Sequence, residues 1–505
     1  MDKEMSELLE KARNYEEKAE KQISPDDRPV FHFTPRTGWM NDPNGLSFYQ
    51  GKVHLFYQYY PYEAKWNAMH WGHAVSSDLV SWDYLPAAMA PDEPYDSFGC
   101  FSGSAIELDD GRHLILYTGV HPKKAKSGFE MLQTQCLAVG DGLNYEKYEG
   151  NPVITGKDVP EGFSQTDFRD PKIFRQIDSS YGCVIGNRSD DGSGALLLFE
   201  SEEGFSWHFR SILDRCRNEY GTMWECPDFF FLDGQAVIIT SPMEMKQKDL
   251  EFYDGAGTIC LIGSLDEKDK KFIRQSVRTI DHGLDFYAPQ TFEMPDGRRI
   301  MIGWMQSWAS CFVPEDHRWF GQMTIPRELS IRDGRLIQSP VREIESLHEK
   351  KVHYENIAAG EEEVELSGVR GRVMDLNVTI RDDEETSCES FVLCFAKDNQ
   401  HECRVIFSPE NSVLTIDRSK AGFTQDFVHV RSCRVQKQSG RLNLRILLDR
   451  YSSEIFVNEG EQVLTMTYYS PGEADRITFE ARGKAHIDVT AFTLRTGQKE
   501  ILRRD

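Results

Sequence analysis

The chain has 505 residues, 39% of them hydrophobic and 11% aromatic, and carries 82 acidic against 58 basic side chains for a net charge of -24. That length exceeds what one core supports and predicts two or more domains, and the aromatic content excludes a disordered chain. The acidic balance argues against nucleic acid or an anionic membrane surface as a partner and leaves a small or neutral substrate.

The first residues, from Met1 to Glu7, offer no apolar segment of the kind a signal peptide needs. No run of about 18 apolar residues follows anywhere, so no membrane-spanning helix is expected. The eleven cysteines are odd in number and irregularly spaced, with no CxxC pair. They fit neither a disulfide framework nor a zinc site, and reduced thiols in a cytoplasmic protein are the expectation.

Residues 2 to 22 are rich in Glu, Lys and Ala and read as an exposed helix ended by Pro25, within an N-terminal extension over residues 1–30. From residue 31 short strand-like runs alternate with Gly, Asp and Asn, and an opening signature recurs among them. Asp42-Pro43-Asn44-Gly45 leads to Val53-His54-Leu55-Phe56-Tyr57, and Ser102-Gly103-Ser104 leads to Leu114-Ile115-Leu116-Tyr117. Asp170-Pro171-Lys172, Cys226-Pro227-Asp228 and Ala288-Pro289-Gln290 open three further units of the same design. Each unit is a strand, a turn and a second strand, the pattern of a β-hairpin.

Positions 43, 103, 171, 227 and 289 are spaced by 60, 68, 56 and 62 residues. Five hairpin-led units at that period predict an all-β protein whose residues 31–338 form a five-bladed β-propeller. The second unit lacks the proline. In such a fold the opening strands meet near one axis, so residues far apart in sequence share a pocket. A linker with a helical turn, over residues 339–356, follows the blades. Strand patterns from residue 357 to 505, such as Phe391-Val392-Leu393-Cys394-Phe395, predict a C-terminal β-sandwich.

Asp42, Asp170 and Glu225 stand at the openings of three units. Read singly, Asp42 belongs to a turn, Arg169-Asp170 is a local ion pair and Glu225 is an ordinary buried carboxylate. Their shared register points instead to one site, and paired carboxylates are what glycosidic cleavage needs. Glu225 lies among Trp224, Cys226, Phe229 and Phe230, an apolar setting that favours the protonated form. Asn41 and Asn44 flank Asp42, and Arg169 precedes Asp170, neighbours that favour ionisation. One acid and two anions are therefore expected.

Together, Trp39 to Gly45, Trp71-Gly72-His73-Ala74, Phe101-Ser102-Gly103-Ser104, Arg169-Asp170-Pro171 and Glu225-Cys226-Pro227 closely resemble glycoside hydrolase family 32. Asp285 to Gln290, Gly303-Trp304-Met305, Pro326-Arg327-Glu328-Leu329 and Asp449 to Asn458 extend the resemblance over nearly the whole chain. The resemblance implies a propeller and a sandwich, with Asp42 as nucleophile, Glu225 as general acid/base and Asp170 as transition-state stabiliser. It implies that Asn41, Gln58, Trp66, Ser102 and Arg169 bind or frame a fructosyl unit and that Phe101 and Trp304 form apolar walls. Without it, those aromatics read equally well as core.

Cys226 reads as packing. His70 and His73 could be paired as metal ligands, but the resemblance implies no metal and no cofactor. The expected activity is retaining hydrolysis of terminal β-fructofuranosyl units from sucrose, sucrose 6-phosphate or short fructo-oligosaccharides. Fructosyl transfer and non-catalytic fructan binding are the alternatives, and a homo-oligomer is an open possibility.

Overall fold

The computed structural model describes residues 5–125, 128–314, 317–382, 388–423 and 425–495. The expected N-terminal helix spans Glu7–Glu20, and residues 2–4 lie outside the described part. Ser6 caps it by accepting from the Leu9 N–H at 3.2 Å. Its inward face carries Leu9, Ala12 and Glu16. The Glu16 carboxylate accepts from the backbone N–H of Ala87 at 2.9 Å, in the outermost strand Asp83–Met89 of the first sheet. The helix therefore covers a sheet edge that would otherwise offer unpaired backbone groups.

Five antiparallel sheets follow. They open with the strands Gly38–Tyr49, Gly99–Glu107, Phe163–Arg175, Trp224–Leu232 and Tyr287–Glu293. Four of these sheets have four strands. The first gains a fifth, the short strand Trp319–Phe320, which pairs in parallel beside Gly38–Tyr49. It thus draws a late segment of the chain back to the first unit. Successive opening strands pack on one another, and the fifth packs on the first. Strand Gly38–Tyr49 is buried on both faces almost throughout, which is why it reads as a continuous run rather than an alternating one.

The recurring opening signature has one structural meaning. In each sheet the ladder between the first two strands slips at that point: at Met40/Pro43, Phe101/Gly103, Glu225/Asp228 and Tyr287/Gln290, and opposite Val184/Gly186 in the third sheet. Proline has no N–H to give a ladder, so it belongs at a bulge. In the third, fourth and fifth units the residue before it turns out of the strand, with φ of 65° at Asp170, 46° at Cys226 and 50° at Ala288. Five bulges at one level aim side chains to one end of the assembly.

The expected helical connector is a short 3-10 helix of two turns, Arg342–Leu347. Strand structure resumes at His348 rather than at residue 357, because His348–Ala359 pairs along Ala485–Leu494. Its alternating exposed residues conceal an edge strand. A six-stranded and a five-stranded antiparallel sheet then share one core containing Leu376, Val378, Phe391, Phe395, Ile446 and Phe479. Residues 496–505 lie outside the described part.

Candidate active site

The bulges of the first, third and fourth sheets bring Asp42, Asp170 and Glu225 to one pocket of about 290 Å³. Asn41, Gln58, Trp66, Phe101, Ser102 and Arg169 line it too, as do Met243 and Trp308. Trp304 does not. It is fully buried behind the wall, edge-on to Trp308 with ring centres 5.1 Å apart. Trp308 is 40% exposed and takes the place expected for Trp304.

Asp42 accepts from Ser102 Oγ at 2.7 Å and from Asn41 Nδ2 at 3.0 Å, while Trp39 Nε1 holds the Asn41 amide oxygen at 2.8 Å. Asn44, expected beside this carboxylate, instead accepts from Gln58 and donates toward Ser102. It supports the pocket from one layer below. Burial is the main influence on Asp42 and raises its pKa from 3.8 to about 6, against the lowering effect of Ser102 and Asn41.

Asp170 receives the backbone N–H of Cys226 at 3.0 Å, and its own N–H donates to Thr118 Oγ1 at 2.9 Å. Burial raises its pKa too, helped by the charges of Glu225 and Asp42 and opposed by Arg169. The expectation that neighbouring donors keep both aspartates readily ionised is thus reversed, because desolvation outweighs them.

Arg169 corrects a second expectation. Its Nε and Nη2 donate to Glu225 Oε1 at 2.9 and 2.7 Å, a forked pair, whereas Asp170 is 4.0 Å away. Glu225 Oε2 accepts from the Tyr287 hydroxyl at 2.5 Å. The polar groups that reach the Glu225 carboxylate, the Arg169 guanidinium and the Tyr287 hydroxyl, come from other sheets, while Trp224, Phe229 and Phe230 pack in separate apolar clusters. Gln133 Oε1 accepts from Arg169 Nη1 at 3.2 Å and from the Phe168 N–H at 2.9 Å, fixing the arginine from the second sheet.

Cys226 does more than pack. Its thiol lies 3.4 Å from Asp42 Oδ2 and 3.6 Å from Asp170 Oδ2, bridging the two carboxylates. Tyr287 and Cys226 were legible in principle, since they occupy the register of the acids in their own units. Met243 and Trp308 sit on loops without a repeating signal. His70 and His73 lie elsewhere, in strand His70–Ser76. His73 faces His54 at 3.0 Å, and His70 bonds the Ala68 carbonyl at 2.9 Å.

A pocket with three carboxylates, one forked arginine and half-exposed aromatic walls is suited to protonating and displacing a sugar oxygen. The sequence pattern of the Glycosyl hydrolases family 32 N-terminal domain matches residues 32–340, and that of the family's C-terminal domain matches residues 343–495. A sucrose-6-phosphate hydrolase of Zymomonas mobilis is 34% identical over 464 residues, covering 90% of this chain and 88% of the relative. A raffinose invertase of Escherichia coli is also 34% identical, covering 91% and 92%. Among solved structures, a Bombyx mori family 32 beta-fructofuranosidase superposes with a TM-score of 0.84 at 32% identity, covering 97% of this chain and 99% of that one. A sucrose-6-phosphate hydrolase of Lactobacillus gasseri superposes at 0.85 with 26% identity, over 97% and 100%. Both matched regions belong to one family, and every residue lining the pocket lies in the first of them: the chain is a glycosidase and belongs to glycosyl hydrolases family 32.

Proposed function

We propose that the protein is a retaining β-fructofuranosidase acting on sucrose, sucrose 6-phosphate or short fructo-oligosaccharides. The observation that carries this reading is the meeting of Asp42, Asp170 and Glu225 in one sugar-sized pocket. The cyclic packing of the five opening strands supports a closed five-bladed propeller over residues 31–338. The shared core of the two later sheets supports a sandwich from His348 onward. None of the eleven cysteines is joined in a disulfide, which favours a reducing, cytoplasmic setting.

Burial, with the charges of the neighbouring carboxylates, raises the pKa of Asp42 and Asp170. Catalysis requires a proton on Glu225. The Asp42 carboxylate attacks the anomeric carbon of fructose while Glu225 protonates the departing glycosidic oxygen, leaving a fructosyl ester on Asp42. Glu225 then takes a proton from water. The resulting hydroxide equivalent displaces the ester, releasing fructose and restoring the Asp42 carboxylate. Asp170 accepts hydrogen bonds from fructose hydroxyls, and Arg169, locked by Gln133, keeps Glu225 aligned.

Asp42→Asn and Glu225→Gln test the assignment. Each should still fold and unfold in one cooperative transition, and Glu225→Gln should lower kcat by about 10²–10⁴-fold, the usual worth of positioned acid–base assistance. Near-native sucrose cleavage by Asp42→Asn would remove it as nucleophile. Kestose accumulating ahead of free fructose at high sucrose would instead make the enzyme a transferase.

A further inference from the structure

The second sheet has an outlier among its strands. His113–Ala125 and Gly128–Gly140 form a hairpin far longer than the opening strand Gly99–Glu107 beside it. Gly99, at the pocket end of that strand, pairs with Val120, which pairs in turn with Gln133. Beyond this level the two long strands continue alone through His121↔Leu132, Pro122↔Met131, Lys123↔Glu130, Lys124↔Phe129 and Ala125↔Gly128. At about 3.3 Å per residue the free ribbon extends roughly 17 Å beyond the Val120–Gln133 pair.

Side chains alternate across such a ribbon, and cross-strand partners share a face. Val120 and Gln133 therefore share a face with Pro122, Met131, Lys124 and Phe129, while Lys123, Glu130, His121 and Leu132 occupy the other. Gln133 fixes which face turns to the site, because its amide holds Arg169, the partner of Glu225. The pocket-side face thus runs upward from Gln133 through Met131 and Pro122 to Phe129, which is 75% exposed.

We propose that this face is the binding surface for the distal rings of a substrate whose leaving group contains two or more sugars. The inference rests on the β-fructofuranosidase reading of the pocket below it. Two observations favour a sugar chain as occupant. The face is continuous with the pocket wall through Gln133 and Arg169. Its apolar side chains suit the C–H faces of pyranose and furanose rings, as aromatic and thioether groups do. The ring adjoining the cleaved bond lies within the pocket, so the ribbon contributes only to longer substrates.

The test compares kcat/KM for 1-kestose, nystose and raffinose with that for sucrose in the full-length enzyme, in Phe129→Ser, in Met131→Ser and in the opposite-face variant Lys123→Ser. The ratio of tetrasaccharide to sucrose should fall about three- to tenfold in the first two, through KM, and stay unchanged in Lys123→Ser. An unchanged ratio in Phe129→Ser and Met131→Ser, at wild-type unfolding temperature, would overturn the proposal. So would an equal fall in Lys123→Ser, or a change in oligomeric mass as the sole effect. Wild-type enzyme that cleaves neither the four sugars nor sucrose 6-phosphate would defeat the reading of the pocket itself, whereas cleavage of sucrose 6-phosphate alone would overturn only this inference.

Discussion

At the scale of single residues, the site is governed by burial more than by its nearest neighbours. Asp42 titrates at about 6 in the folded chain against 3.8 ordinarily, so the native state binds its proton more tightly than the unfolded state does. Between those two values stability falls as pH rises, because ionising Asp42 costs more inside the pocket than outside it. Asp42→Asn removes that cost. The variant should match wild type near pH 4 and exceed it by about 1–3 kcal/mol near pH 7.5, measured by denaturant unfolding. A gap that stays constant with pH would assign the shift elsewhere. The same ionisation should set the acid limb of kcat/KM at about pH 6, since the nucleophile must be charged to attack.

At the scale of elements, the unit of function is the bulge rather than the strand. Each opening strand must stop pairing for one step to turn a side chain toward the shared site, and proline accompanies this in four of the five. The second unit achieves it with Gly103 instead. A Cβ there would stand 2.2 Å from the Leu116 carbonyl and 2.6 Å from the Tyr117 Cα, so no side chain fits without moving backbone. Gly103→Ala should cost more than about 2 kcal/mol and displace Ser102 from Asp42, lowering kcat/KM along with the unfolding midpoint. Loss of stability without loss of activity would separate the bulge from the site. The helix Glu7–Glu20 has a different task, as Glu16 closes the backbone of a sheet edge that the propeller-like arrangement leaves open.

At the scale of the whole molecule, the two modules are joined by buried charge. His32 bonds Asp449 and Glu454, each at 2.9 Å, and Arg327 reaches Glu454 at 2.6 Å and Asp281 at 3.1 Å. Asp285 pairs with Arg418 and accepts from the Thr467 N–H at 2.6 Å. Burial by itself would lower the His32 pKa, but its two carboxylate partners raise it to about 9. Its contribution is therefore complete below the ordinary value of 6.5 and disappears as pH rises through about 9. Wild type should lose up to about 3 kcal/mol across that window, in one transition that takes both modules together, whereas His32→Gln should lack the slope. Urea midpoints at several pH values decide it, and separate transitions for the two modules would contradict the coupling.

Several motifs that marked the family in the sequence thus serve this joint and not the pocket: Asp285, Arg327, Asp449 and Glu454 contact one another or their partners across modules. Nothing local distinguishes a carboxylate that docks a domain from one that attacks a sugar, since both are buried and both have charged neighbours. The chain by itself determined the five units, their register and the acids within them, because proline, glycine and alternating strands act on the backbone over a few residues. Only the tertiary structure decided that Arg169 serves Glu225, that Trp308 stands where Trp304 was expected, and that desolvation raises both aspartates. Those outcomes depend on which strands converge and how much water they exclude, and neither quantity is a property of any short stretch of sequence.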